Sequence, residues 1–283
     1  MPLAMGCRAF FLPSPDGQRF CIYYPPQGAV TRGRVVYIHP LAEEMNKSRR
    51  MAALQSRALA AAGYAVLQVD LLGCGDSSGD FGDGRWDAWV TDVVRAAAWL
   101  RLNTAADAAR APLWLWGLRA GCLLAQEAAP LLDEHCNFLY WQPPWSGRTL
   151  LQQFLRLQLA AQLLGTAPKE APQSLCERLL QGQSQEVAGY TLSPDVARGL
   201  ERAVLSAPAP AVRAQRVLWF ELSALPQPRL STIPADTRAQ WSHPGLQLER
   251  HALPGPAFWQ SNDVEEVPEL LAATTAALCP LGI

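Results

Sequence analysis

The sequence predicts an α/β protein with a mostly parallel β-sheet and helices packed against its faces. Three observations support this. Short apolar runs rich in β-branched and aromatic residues alternate with stretches whose apolar residues recur at helical spacing, the order that produces parallel sheets. One such run, 113–116, passes through a glycine-flanked turn directly into a predicted helix. The length of 283 residues, 49% of them hydrophobic and 17% charged, suffices for one such domain with an insertion.

The predicted elements follow one another from the N-terminus. Residues 8–25 alternate polar and apolar around Ser14-Pro-Asp-Gly17, which predicts a hairpin. A first helix is expected from Asn46, as its N-cap, to Gly63, which suits a helix end. Right-handed connections between the later strands would make them parallel. Those strands are predicted at 34–39, 65–70, 113–116 and 138–141, and further helices at 86–100 and 120–129.

The alternation of strands and helices is interrupted between residues 148 and 207. This stretch predicts a helix around Leu151 to Leu159 and another that begins at Ser193-Pro194. The sheet resumes at 217–222 and 246–250, and a last helix is predicted at 264–278. We therefore divide the chain into a first core segment (1–147), a helical lid or cap insertion (148–207) and a second core segment (208–283).

The turn after the 113–116 strand reads Gly117-Leu-Arg-Ala-Gly121. In the α/β-hydrolase fold, a Gly-x-Ser-x-Gly turn at this place is the nucleophile elbow, which lifts a serine above the sheet. Here Arg119 occupies the serine position. A guanidinium stays protonated and offers only hydrogen-bond donors, so it cannot attack a carbonyl. The sequence therefore predicts the α/β-hydrolase fold without its usual nucleophile.

The other two positions of a catalytic triad are also unfilled. The acid position offers only Glu221, which lies inside a predicted strand, and the histidine position is Ala257. Ordinary serine hydrolysis is not expected, and whether other catalysis remains is left open. Weak candidates for an unorthodox site are the thiols of Cys74 and Cys122, which a neighbouring cation such as Arg119 would activate, and His251, six residues before Ala257.

Several polar residues follow the ends of the predicted strands, where open α/β sheets bind ligands. A guanidinium beside a helix N-terminus favours a carboxylate or phosphate, so Arg119 would orient an anionic or acyl-bearing small molecule. The alternative is that Arg119 pairs with a neighbouring carboxylate of Glu43, Glu44 or Asp76 and closes the site. Leu41, Ala42 and Ala120 are expected to supply backbone N–H groups of the kind that form an oxyanion hole. The predicted pocket residues are His39, Glu43, Glu44, Asp76, Arg119 and Trp145.

Composition narrows the possible partners and location. A formal net charge of −1 provides no field for nucleic acid. No window reaches the roughly 18 apolar residues that a membrane span requires, and residues 1–13 lack the pattern of a secretion signal. The seven cysteines are scattered without a C-x-x-C pair, so no disulfide framework and no zinc site are signalled. We expect a cytoplasmic protein without metal or cofactor.

Four segments resemble one subfamily of α/β-hydrolase homologues, the exosortase A system-associated hydrolase 2 proteins of Gram-negative bacteria. The resemblance implies an association with exopolysaccharide synthesis and protein sorting. It also implies that an arginine at the elbow is a feature of the subfamily. The word hydrolase in the subfamily name describes the fold only. Activity must be argued from the site. The resembling segments are His39-Pro-Leu-Ala-Glu-Glu-Met-Asn-Lys-Ser-Arg49, Asp70-Leu-Leu-Gly-Cys-Gly-Asp-Ser-Ser-Gly-Asp-Phe81, Trp116-Gly-Leu-Arg-Ala-Gly121 and Pro254-Gly-Pro-Ala-Phe-Trp-Gln260.

Three functions therefore remain open. The first is a non-hydrolytic binding protein, a pseudoenzyme that pairs with a second hydrolase-fold protein or with itself. The second is an enzyme of ester or thioester chemistry that uses Cys74 or Cys122. The third is a structural subunit of an assembly, which apolar residues of the insertion (Leu151, Phe154, Leu155) would suit if they were exposed.

Overall fold

The computed structural model describes residues 6–104, 111–163, 172–208, 215–225, 227–235 and 237–279, without the side chains of 159–163 and 172–173. Eight strands form one sheet in the order β1-β2-β4-β3-β5-β6-β9-β10, and β7 pairs with β8 separately. Pairing is parallel from β4 across to β10 and antiparallel only at β1 and β2. The strands are β1 (Arg8–Ser14), β2 (Gly17–Tyr24), β3 (Gly33–Ile38), β4 (Tyr64–Val69), β5 (Leu113–Leu118), β6 (Cys136–Trp141), β7 (Gln185–Val187), β8 (Tyr190–Leu192), β9 (Gln215–Ser223) and β10 (Leu246–Pro254).

Helices cover both faces of this sheet. The helices are α1 (Glu43–Ala61), α2 (Trp86–Asn103), α3 (Ala120–Ala128), α4 (Gly147–Leu163), α5 (Pro172–Leu180), α6 (Pro194–Arg202) and α7 (Pro268–Leu278). One core lies under α1 and α7, and a second lies under α2 and α3. Strands β3, β5 and β6 are buried along their whole length because both faces are covered. Among the described residues, no helix has both the length and the apolar character needed to cross a bilayer.

This architecture confirms the predicted fold class, with differences at helix ends. Helix α1 begins at Glu43 rather than after Asn46, and its N-cap is Ala42. The carboxylates of Glu43 and Glu44 lie in its first turn, where the helix dipole favours negative charge. Helix α7 begins at Pro268 instead of Val264, because proline suits the first turn of a helix.

The chain between β6 and β9 leaves the sheet and returns at one place. We call residues 146–204 the insert. An antiparallel bridge joins Ser146 to Val204, and the Leu205 amide donates to the Trp145 carbonyl at 3.0 Å. The division at 148 and 207 stays a prediction, and residues 164–171 of that stretch lie outside the described residues. The apolar residues Leu151, Phe154 and Leu155 are 0%, 5% and 1% exposed, so they do not form an outer surface.

Candidate ligand-binding site

The elbow between β5 and α3 is formed although its tip is an arginine. Arg119 has φ 54° and ψ −115°, a backbone conformation that costs a non-glycine residue about 1–3 kcal/mol. A β-carbon at Gly117 would overlap the backbone of Cys122, and one at Gly121 would overlap the carbonyl of Ile38. Both flanking glycines are therefore required by close backbone approach, as in a nucleophile elbow.

The Arg119 side chain joins three parts of the chain. Its Nε lies 3.3 and 3.4 Å from the two carboxylate oxygens of Glu44 on α1, and its Nη2 lies 3.2 Å from Oε1 of the same residue. Nη2 also donates to Oε1 of Gln153 on α4 at 2.8 Å. The guanidinium carbon lies 5.8 Å from the ring centre of Trp259, in the loop after β10. Arg119 was expected either to be free for an anionic ligand or to pair with a neighbouring carboxylate. In the structure it pairs with the carboxylate of Glu44.

The environment of the two carboxylates at the start of α1 disfavours their charged form. Burial raises the pKa of Glu44 above its ordinary value, while the charge and hydrogen bonds of Arg119 oppose the rise. Burial also raises the pKa of Glu43, although a hydrogen bond from its own backbone N–H and the charge of Lys47 oppose the rise. The Oε2 atom of Glu43 is buried and has no hydrogen-bond partner among the described residues. Both groups therefore accept a proton more readily than an exposed glutamate.

A cavity of about 440 Å³ lies beside this pair, within the range of roughly 300–1,000 Å³ found for small-molecule sites. Its charged residues come from α1, from the elbow and, through Arg156, from α4, and its apolar residues come mainly from α4. The cavity is therefore amphiphilic. It is lined by Leu41, Glu43, Glu44, Lys47, Arg119, Leu150, Gln153, Phe154, Arg156, Leu157 and Gln260.

Of the predicted pocket residues, Glu43, Glu44 and Arg119 line this cavity, and His39 does not. The Nε2 atom of His39 accepts from the Leu71 amide at 3.2 Å, and its Nδ1 lies 2.8 Å from the Pro40 carbonyl. Burial lowers the pKa of His39, which favours the neutral ring that these two bonds require. His39 therefore ties the end of β3 to the loop after β4 and faces away from the cavity.

Asp76 and Trp145 also lie elsewhere. Asp76 is exposed beside a second cavity on the other side of α1, which Cys74 and Arg49 also line. The Trp145 ring packs against Trp219, with ring centres 4.8 Å apart, and takes part in an aromatic cluster at the base of the insert. The ends of the strands therefore supply two separate groups of polar residues, one on each side of α1.

The structure places the three catalytic candidates apart from one another. Cys122 is fully buried, and its Sγ lies 3.2 Å from the carbonyl of Gly117. Burial raises the thiol pKa of both Cys74 and Cys122, whereas a nucleophilic cysteine needs it lowered. His251 lies on β10, the edge strand of the sheet, and its ring stacks on that of Phe220 with ring centres 4.7 Å apart. None of the three lines the cavity at Arg119.

Ala257 and Glu221 are the residues at the two remaining predicted triad positions. The loop that holds Ala257 reaches the elbow, because Trp259 contacts the Arg119 guanidinium. Glu221 lies in β9 and accepts hydrogen bonds from the amide and hydroxyl of Ser231, both at 2.7 Å, and from Arg250 at 3.0 Å. The assignment of Ala257 and Glu221 to the histidine and acid positions stays a prediction, and Glu221 is engaged by Ser231 and Arg250.

The expected oxyanion-type residues form the two helix starts. Ala42 precedes α1 with φ 50° and ψ −126°, close to the conformation of Arg119. Leu41 lines the cavity, whereas Ala42 and Ala120 are buried beside it at 4% and 2% exposure. Whether their N–H groups act on a ligand stays a prediction.

Sequence reasoning missed Gln153, Lys47 and Trp259. Lys47 follows Glu43 by four residues, so helical spacing would have placed both on one face. Gln153 had no comparable signal, because its contact with Arg119 depends on how the insert folds over the elbow. Within the described ranges, no three His, Cys, Asp or Glu side chains are grouped as metal ligands would be.

The fold and the site together define a protein of the α/β-hydrolase fold with a non-nucleophilic elbow. Residues 20–146 match the family described as X-Pro dipeptidyl-peptidase (S15 family). The human protein ABHD12B is 32% identical over 116 residues, which are 40% of this chain. That alignment spans only 29% of the length of ABHD12B.

Solved structures of α/β hydrolases share the fold at low identity. Est1E from Butyrivibrio proteoclasticus with ferulic acid bound has a TM-score of 0.63 at 16% identity, covering 95% of this chain and 98% of that one. XC6422 from Xanthomonas campestris, an α/β serine hydrolase without a lid, gives 0.54 at 17%, covering 98% and 95%. Monoglyceride lipase from Saccharomyces cerevisiae gives 0.58 at 12%, covering 98% and 96%. At these identities the likeness concerns the fold alone.

Proposed function

We propose that this chain is a non-hydrolytic binding protein, a pseudoenzyme of the α/β-hydrolase fold that holds an anionic or acyl-bearing small molecule in the cavity at Arg119. One observation carries the proposal. The elbow keeps its strained backbone and its glycines, yet the side chain at its tip is a guanidinium bonded to Glu44 and Gln153. A cavity is thus retained where the chemistry of a serine hydrolase has no nucleophile.

The walls of the cavity support an amphiphilic ligand. Leu150, Phe154 and Leu157 of α4 offer an apolar surface, and Arg119, Lys47 and Arg156 offer positive charge. An acyl chain against α4 with its head toward Arg119 would satisfy both surfaces. In this proposal the insert acts as a lid, because α4 both lines the cavity and bonds Arg119 through Gln153.

The cellular setting is part of the proposal. The resemblance to exosortase A system-associated hydrolase 2 proteins supports a role beside exopolysaccharide synthesis and protein sorting, in the cytoplasm, with a second hydrolase-fold protein or a second copy as partner. Co-purification of the tagged chain from its own cells tests this part. Recovery of the chain alone and monomeric would count against a stable partner.

The binding function is tested by turnover and by calorimetry on the same protein. We expect no hydrolysis of short and medium acyl esters or thioesters above buffer, and heat of binding with decanoate. Leu157→Gln, in the cavity wall, should weaken binding about tenfold or more, since it puts an amide against the chain. Leu131→Gln, at a site 59% exposed outside the cavity, is the matched control.

A catalytic alternative remains distinguishable by the same assay. If the wild type turns over an acyl substrate and Cys74→Ala or Cys122→Ala abolishes that turnover in a folded protein, the pseudoenzyme reading is wrong. The buried thiols with raised pKa count against this alternative. The purely structural role loses its main support, because Leu151, Phe154 and Leu155, the residues that suggested it, are buried.

A further inference from the structure

Glu44 occupies the place at Arg119 that a ligand carboxylate would need. Its two oxygens lie 3.2–3.4 Å from Nε and Nη2, the forked edge of the guanidinium that binds carboxylates with two parallel bonds. Gln153 takes the remaining bond of Nη2. An external anion can therefore reach this edge only if Glu44 moves away.

The Arg119–Glu44 pair is a loose one. Charge-assisted hydrogen bonds between nitrogen and carboxylate oxygen are ordinarily about 2.7–2.9 Å long, and each of these three is longer. The Glu44 side chain is only 14% exposed, so its charge is poorly solvated as well as loosely paired. Exchange for another carboxylate therefore costs Arg119 little.

If a ligand takes the bonds of Arg119, Glu44 stays mostly buried and has no other cation within hydrogen-bond distance among the described residues. A buried unpaired carboxylate is costly, so displacement of Glu44 favours its protonation. The ionisable groups that act on Glu44 are Arg119 from the elbow and Glu43 and Lys47 from its own helix. Arg156 from α4 lines the same cavity. Protonation of Glu44 removes one of the buried negative charges.

Resting on the proposed binding function, we propose that the ligand is a carboxylate with an apolar chain that replaces Glu44 at the Arg119 guanidinium while Glu44 takes up one proton from solvent. The ligand head then makes the paired bonds to Nε and Nη2, and its chain lies against Leu150, Phe154 and Leu157. Glu44 becomes a neutral carboxylic acid in a site where burial already favours that form. Glu44 is thus an internal competitor that decides when the cavity accepts an anion.

Calorimetric titration with decanoate, decanesulfonate and decan-1-ol between pH 6 and 8.5 tests the exchange. The sulfonate keeps its charge throughout, so any pH effect on its binding belongs to the protein. We expect both anions to bind more tightly as the pH falls, by up to about tenfold per unit for one proton, and the alcohol to bind independently of pH. Titrations in buffers of different ionisation enthalpy should show uptake of up to one proton per anion.

Two glutamine variants identify the group. Glu44→Gln should bind decanesulfonate at pH 8.5 as tightly as the wild type does at low pH, without pH dependence. Glu43→Gln, one residue away in the same cavity wall, should keep the dependence. An infrared band of a protonated carboxyl should appear on decanesulfonate binding to the wild type and be missing in Glu44→Gln.

The outcomes separate this inference from the function on which it rests. If no amphiphile binds the wild type at any pH, the binding function itself fails. If the anions bind without pH dependence or proton uptake, or if Glu43→Gln removes the dependence instead, binding stands and the role given to Glu44 is overturned. The wild-type pH series and buffer comparison decide the matter even if a variant fails to fold.

Discussion

Removal of the Arg119 guanidinium should make the stability of this protein depend on pH. In Arg119→Ala, the Glu44 carboxylate loses its only cation within hydrogen-bond distance among the described residues while staying mostly buried. It must then either remain charged without a partner or take up a proton. Breaking a buried pair by removing one member costs about 3–5 kcal/mol, and protonation limits that cost when protons are available.

The limit follows from the ordinary glutamate pKa. Protonating such a group at pH 8 costs about 5 kcal/mol, and at pH 5 about 1 kcal/mol, at about 1.4 kcal/mol per unit. Burial raises the pKa of Glu44 in the folded protein, so the real costs are smaller. We expect Arg119→Ala to lose about 3–4 kcal/mol of unfolding free energy at pH 8 and about 1 kcal/mol or less at pH 5.

The sign of the pH dependence is set by where the proton is held. In the variant, the folded state binds the Glu44 proton more tightly than the unfolded chain does. Its unfolding free energy therefore falls as the pH rises, from just above the pKa of an unfolded glutamate up to the raised folded-state pKa. Urea unfolding followed by the fluorescence of the ten tryptophans measures this at each pH.

A second substitution completes the experiment. Adding Glu44→Gln to Arg119→Ala replaces the charge by a neutral amide, so most of the lost stability should return at pH 8 and the added pH dependence should disappear. Equal losses for Arg119→Ala at pH 5 and pH 8 would refute the reasoning. So would a double variant no more stable at pH 8 than the single one.

Two further predictions concern backbone strain and the thiols. Ala42→Gly should leave the unfolding free energy unchanged or raise it by up to about 2 kcal/mol in urea, because φ 50° strains alanine; Ala272→Gly, in the exposed middle of α7, should cost about 1 kcal/mol. Equal losses at both sites would mean that Ala42 is unstrained. N-ethylmaleimide should label exposed Cys7 quickly and the buried Cys74 and Cys122 only on unfolding, as followed by peptide mass spectrometry. Labelling of Cys74 at the rate of Cys7 in folded protein would contradict the burial argument.

The sequence predicted the fold more completely than the site. Strand positions were predictable because runs such as 34–39 and 113–116 are short, mostly apolar and rich in β-branched or aromatic residues, as strands covered on both faces are. Helix starts were less predictable: Asn46 was a better N-cap by residue type than Ala42, yet α1 begins at Glu43. The turn after β3 overrides the capping preference there, because Ala42 adopts an unusual backbone conformation.

Within the site, proximity in sequence to a strand end did not settle which side of α1 a residue faces. Glu43 and Glu44 turn toward the elbow, whereas Asp76 lies beside the second cavity. His39 follows a strand end but is committed to two backbone partners. These outcomes depend on contacts between distant segments, which residue type and spacing do not specify.

The amino-acid sequence by itself determined the fold and the absence of a serine nucleophile. Gly117 and Gly121 allow the elbow, and Arg119 stands at its tip; each of these is a property of a residue at a motif position. The assignment of Ala257 to the histidine position stays a prediction. The tertiary structure alone decided that Arg119 is bound by Glu44 and Gln153 rather than open to solvent. Those partners lie 75 and 34 residues away, and only the folding of α1 and of the insert onto the elbow brings their oxygens within hydrogen-bond distance of one guanidinium.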